Sequence, residues 1–91
     1  MLLGDLLARF ETPSFAEETV LAIGDLNLLA RMRARAEAEG ESLGEFAQGA
    51  VRRFAAEASD EDWVSLVGAL ARASDPGAVC LKAAFTYVTR G

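Results

Sequence analysis

Ser42-Leu43-Gly44-Glu45-Phe46-Ala47-Gln48-Gly49-Ala50-Val51-Arg52-Arg53-Phe54-Ala55-Ala56-Glu57-Ala58-Ser59-Asp60-Glu61-Asp62 is the stretch that decides the fold. It opens and closes on the same device. Ser42-Leu43-Gly44-Glu45 and Ser59-Asp60-Glu61-Asp62 each begin with a hydroxyl that accepts a hydrogen bond from the first free backbone N–H groups of a helix. Each ends three residues later with a carboxylate that reaches back to the cap's own N–H. Between the two boxes, Leu43, Phe46, Ala47, Ala50 and Phe54 recur at helical spacing. The reading is one helix after another, the second carrying Trp63, Leu66, Val67, Leu70 and Ala73 on one face. Its acidic first turn matches the helix dipole.

The same punctuation extends outward in both directions. Glu11-Thr12-Pro13 breaks the chain, and a third box, Ser14-Phe15-Ala16-Glu17, opens a helix that Gly24-Asp25 ends. Asp25 is a candidate cap for the next helix, whose apolar seam is Leu29, Met32 and Ala36. Its surface pairs Arg33–Glu37 and Arg35–Glu39 stand four residues apart. Gly40 is placed to end it in a left-handed conformation. Downstream, Asp75-Pro76 joins a capping Asp to a Pro at the first helical position, where the missing N–H is harmless. At the start of the chain, Leu2, Leu3, Leu6, Leu7 and Phe10 form one stripe opposite Asp5 and Arg9. A helix that short does not stand alone, so it is expected to dock on the chain's own core.

The expected fold is therefore all-α: a compact bundle or array of five to six short helices over residues 2–10, 14–24, 26–39, 42–58, 60–73 and 76–89. Loops of two to four residues join them into a single helical domain spanning 1–91. The expected core is Leu6, Phe10, Phe15, Leu29, Met32, Phe46, Phe54, Trp63, Leu66, Leu70, Leu81 and Phe85.

Composition bounds the function. The chain has 91 residues, 52% of them hydrophobic and 25% charged, which argues against disorder, and its net charge is −5. An acidic chain repels phosphate backbones and anionic membranes, so nucleic acid is disfavoured as a partner. No basic leader is readable at Met1-Leu2-Leu3-Gly4-Asp5, and no stretch approaches the roughly 20 apolar residues of a membrane span. The expected location is cytoplasmic.

There is no histidine and only one cysteine, Cys80. That removes the commonest general base, every Ser-His or Cys-His nucleophile and any ligand set for zinc. No phosphate-cradling glycine loop follows a strand. No catalytic, metal or cofactor residue is assigned, and no cofactor is expected. Asp60, Glu61 and Asp62 are accounted for as a helix start, Cys80 as a small buried hydrophobe and Trp63 as a packing anchor.

The last helix is apolar nearly all round: Ala78, Val79, Cys80, Leu81, Ala83, Ala84, Phe85, Tyr87 and Val88 leave little polar face beyond Lys82, Thr86 and Arg90. Such a helix is central or lies in an interface. The expected function is a non-enzymatic protein–protein interaction module, a homodimer associating through Val79, Leu81, Ala84, Phe85 and Val88.

Residues 20–58 carry a second reading. Val20–Ile23 can be taken as a short strand, Leu26–Glu39 as a helix, Gly40 as the turn, and Ser42-Leu43-Gly44-Glu45-Phe46 through Arg52-Arg53-Phe54 as a second helix. In that order they resemble a ribbon-helix-helix domain. The resemblance implies a dimer joined by paired strands, a transcriptional regulator or antitoxin-type protein. Its nucleic-acid contacts would be Arg31, Arg33, Arg52 and Arg53. The family's strand exposes polar or basic side chains that read base edges, whereas Val20-Leu21-Ala22-Ile23 offers no hydrogen-bonding side chain for that task.

Overall fold

Local signals set the helix boundaries, and the computed structural model places them within two residues of expectation. It describes residues 3–90, with side chains described for residues 4–89. The expected contributions of Leu2 and of the Leu3 and Arg90 side chains lie outside that range. The helices are α1 (Leu3–Arg9), α2 (Pro13–Ile23), α3 (Leu26–Ala38), α4 (Leu43–Glu57), α5 (Asp60–Ala71) and α6 (Pro76–Arg90), with no strand among the described residues. None of them is long and apolar enough to cross a membrane. The Cα radius of gyration, 12.1 Å, matches the ~12 Å of a fully folded chain of this length.

Two boxes close as expected. Ser42 Oγ accepts from the Glu45 N–H at 3.1 Å, and Glu45 Oε1 accepts from the Ser42 N–H at 2.9 Å. Hydrogen bonding of the Glu45 carboxylate to Ser42, first to its backbone N–H and then to its hydroxyl, holds that carboxyl below its ordinary value. Ser59 Oγ accepts from the Asp62 N–H at 3.2 Å, and Asp62 Oδ2 from the Ser59 N–H at 3.4 Å. Asp25 caps α3 through the Leu28 N–H at 3.0 Å, and Asp75 caps α6 through the Ala78 N–H at 3.2 Å.

The third box does not form. α2 starts one residue earlier than expected, with Pro13 in the first turn and Thr12 as an extended N-cap that makes no side-chain capping bond. Proline's fixed φ favours the first helical position and its absent N–H leaves one fewer donor to cap. Ser14 is thereby drawn inside the helix.

The far end of α2 bears on the strand reading. Gly24 lies at φ 72°, a left-handed helix stop, and the helix runs unbroken to Ile23. Val20–Ile23 is thus helical. Val20 is buried and Ile23 packs partly buried against the core. Gly40, at φ 69°, ends α3 in the same way; its N–H bonds to the Glu37 carbonyl at 3.1 Å and the Glu41 N–H to the Ala36 carbonyl at 2.9 Å.

α4 is the central element, packed on α2, α6, α3 and α1. It buries Gly44, Phe46, Ala47, Ala50, Val51 and Phe54. Its first turn lies so close to α2 that a Cβ at Gly44 would stand 2.6 Å from the Pro13 carbonyl oxygen. A glycine is required there by the approach of the two backbones. Gln48 Nε2 donates to the Glu11 carbonyl and Arg52 pairs with the Glu11 carboxylate at 3.0 Å, tying α4 to the α1–α2 corner. α1 docks on the core as expected, with Leu6 and Phe10 buried and Phe10 set edge-on to Phe15 at 4.9 Å.

The core differs from expectation in which faces turn inward. On α3 the buried seam is Leu28, Met32 and Ala36, with Leu29 only half-buried. Phe15, Trp63 and Leu70 are also half-buried. On α5, Leu66 is buried but Val67 faces solvent, 52% exposed. Ala16, Val20, Ala47, Ala50, Val51, Cys80 and Ala84 complete the core; the alanines let the helix axes approach closely.

Candidate interaction surface

α5 is locally built like α4 and globally placed quite differently. Its inner side docks through Trp63, edge-on to Phe54 at 5.3 Å, and through Leu66, while α6 is its main neighbour. Its outer side carries Val64, 72% exposed, one turn from Val67. On the opposite flank of the helix, α5 and α6 leave a groove of about 330 Å³ floored by Phe54, Leu66, Val79 and Ala83. Asp62, Ser65, Lys82 and Thr86 line it with polar groups.

α6 does not present the association face expected of it. Leu81 and Ala84 are fully buried and Phe85 is 2% exposed, set edge-on to Phe46 at 6.0 Å. The chain's own core, chiefly α4 and α2, covers that side of α6. The near-continuous apolarity of residues 78–88 is thus largely consumed within the protomer. Val79 and Val88 are half-buried and lie apart: Val79 in the α5–α6 groove, Val88 in a recess with Arg35 and Arg53. Of the five expected residues only Val79 lies in the α5–α6 groove.

The four arginines expected to contact nucleic acid also separate. Arg31 lies over the Phe85 ring at 5.3 Å, in the cleft between α3 and α6. Arg33 lies with Glu17, Glu37 and Glu41 on another side of α3. Arg52 pairs with Glu11 at 3.0 Å and Arg53 with Glu57 at 3.4 Å. Residues two apart on a helix point some 200° apart, so Arg31 and Arg33 cannot share a face. Neither Arg33–Glu37 nor Arg35–Glu39 closes to ion-pair distance; Arg35 instead lines the recess with Arg53, Glu39 and Glu41, where the charges balance.

Cys80 is fully buried, and burial pushes its thiol up to about 11. It stays protonated and sheltered near neutral pH. Among the described residues, no group of three or more His, Cys, Asp or Glu is placed to hold a metal ion. Leu21 and Leu26, 49% and 79% exposed, flank the α2–α3 corner.

In comparison with known proteins, no family model matches the chain, and neither a curated protein nor a solved structure matches it.

Val64 is the functional candidate that sequence reading passed over. A signal was present: residues 63–71 hold Trp63, Val64, Leu66, Val67, Ala69, Leu70 and Ala71, more apolar groups than the one docked face of a peripheral helix absorbs.

Proposed function

We propose that this protein is a non-enzymatic interaction module that binds a second copy of itself through the outer side of α5. The observation that carries this reading is the pair of exposed valines, Val64 and Val67, 72% and 52% exposed in the interior of a well-capped helix. A β-branched residue facing water gains nothing from packing and is a weaker helix former than the alanines nearby. Removing both valines from water supplies the hydrophobic gain that exposure forgoes. The α5–α6 groove opens on the other flank of the helix, past Asp62, Ser65 and Ala69, and lies outside this surface. A stable interface covers about 800 Å² on each partner, more than one side of a twelve-residue helix provides, so the contact extends past α5 to the surface flanking the valines. The absence of histidine from the chain is in keeping with a binding role.

Sedimentation velocity over the micromolar range tests this. The expected result is a concentration-dependent rise toward twice the monomer mass, abolished by Val64→Asp with helicity unchanged. A monomer at high micromolar concentration overturns it. The ribbon-helix-helix alternative draws support from the α3–Gly40–α4 arrangement and is tested on the same sample. Duplex binding at low salt with a steep salt slope would replace the present reading.

A further inference from the structure

We infer that the two copies meet through α5 alone at their centre, antiparallel about a two-fold axis, with Val64 of each over Val67 of the other and Glu61 of each paired to Arg72 of the other. This rests on the self-association reading above and specifies its geometry.

The first argument is the composition of one helix face. Asp60, Val64, Val67 and Ala71 follow one another at spacings of four, three and four, which places them along one side of α5. Asp60, Val64, Val67 and Ala71 are exposed, and Gly68 beside them carries no side chain to hold another helix away. Val64, Val67 and Ala71 form a narrow apolar strip that Asp60 closes at its N-terminal end.

The second argument is charge. The first turn of α5 carries Asp60, Glu61 and Asp62, and its last residue is followed by Arg72 as the C-cap. Glu61 and Arg72 are eleven residues apart, just over three full turns, so they flank the apolar strip on the same side at opposite ends. The Arg72 guanidinium folds back toward the strip: its Nη1 is 4.0 Å from where a Cβ of Gly68 would stand.

Orientation then follows. A parallel pair would set the two acidic turns against each other and align both helix dipoles. An antiparallel pair brings like flanks together with their ends exchanged, as in antiparallel coiled coils. Each acidic turn then faces the other copy's Arg72, twice over, as an isologous contact requires. With Val64 opposite Val67 of the second copy, the folded-back guanidinium lies level with that copy's first turn.

The test is a charge-exchange cycle read by sedimentation equilibrium: wild type, Glu61→Arg, Arg72→Glu and the double variant, each checked for helicity by circular dichroism. Each single exchange turns two attractive contacts into two repulsive ones and is expected to weaken dimerisation about tenfold. The double variant is expected to return to within about threefold of wild type. If Glu61→Arg loses helicity, Glu61→Gln and Arg72→Gln report the same contact as a dimer constant with reduced salt sensitivity; unchanged salt sensitivity overturns the pairing. A wild-type dimer that is indifferent to the single exchanges, or not restored in the double variant, overturns the antiparallel α5 geometry and leaves self-association standing. A monomeric wild type removes both.

Discussion

α4 and α5 start from the same four-residue cap and have opposite fates. α4 is enclosed by α1, α2, α3 and α6 and buries six residues, while α5 lies chiefly against α6 and buries only Leu66. Their apolar contents do not foretell this. α5 carries Trp63, Val64, Leu66, Val67 and Leu70 in eight residues, and α4 relies on alanine and glycine for much of its contact. Small residues let α4 approach its neighbours on several sides at once; bulky ones on α5 exceed the single side it docks. The enclosed helix stabilises the protomer, and the overfilled peripheral one has surface left for a partner.

The contrast predicts a graded series. The largest effect falls on α4: Phe54→Ala, which removes a ring packed on both Trp63 and Tyr87, is expected to destabilise by about 3–5 kcal/mol in urea unfolding. A loss below about 1 kcal/mol would mean that α4 is not the enclosed element described here. Next is Gly44→Ala. In a free helix this exchange is favourable, but here the new methyl meets the Pro13 carbonyl at 2.6 Å. A net loss of about 1–3 kcal/mol is expected, and a gain would show that α2 and α4 separate at little cost.

The caps come third, because their effects are local. Ser42→Ala is expected to lose about 1 kcal/mol, whereas Ser14→Ala, inside α2 and away from its cap, should change stability by less than about 0.5 kcal/mol. Equal losses would restore the third box. The pH dependence has a defined sign. Glu45 is held below its ordinary value of 4.5 in the folded chain. Its contribution is therefore present above that value and is lost as acidification passes through the lowered one. The urea midpoint should fall on acidification in the wild type and fall less in Ser42→Ala.

The smallest effect belongs to α5's outer side. Val64→Ser, at dilute and monomeric concentration, is expected to alter stability by less than about 0.5 kcal/mol. A loss as large as that of Phe54→Ala would place Val64 inside the protomer and erase the distinction between the two helices.

The capping signals that made the helices legible are bonds closed within four residues, so Ser42–Glu45, Ser59–Asp62 and Asp75–Ala78 needed no knowledge of the rest of the chain. The one local misreading, at Ser14, also has a local cause: Pro13 claimed the helix start first. The candidate surface was far less legible. Residues 78–88 read as an association face because their apolarity is conspicuous in sequence, yet Leu81, Ala84 and Phe85 proved to be core. Val64 and Val67 drew no notice as a surface because an apolar position on a helix is by default expected to point inward.

By itself, then, the sequence determined six helices, their approximate ends, and a chain without histidine or a second cysteine. Tertiary structure alone decided which sides of those helices are covered. It turned Leu28 inward ahead of Leu29 and left Val67 in water. Periodicity places residues on a common face, but which face meets a neighbour depends on contacts between distant residues. The approach of Gly44 to Pro13, across thirty-one positions of chain, is one of those contacts.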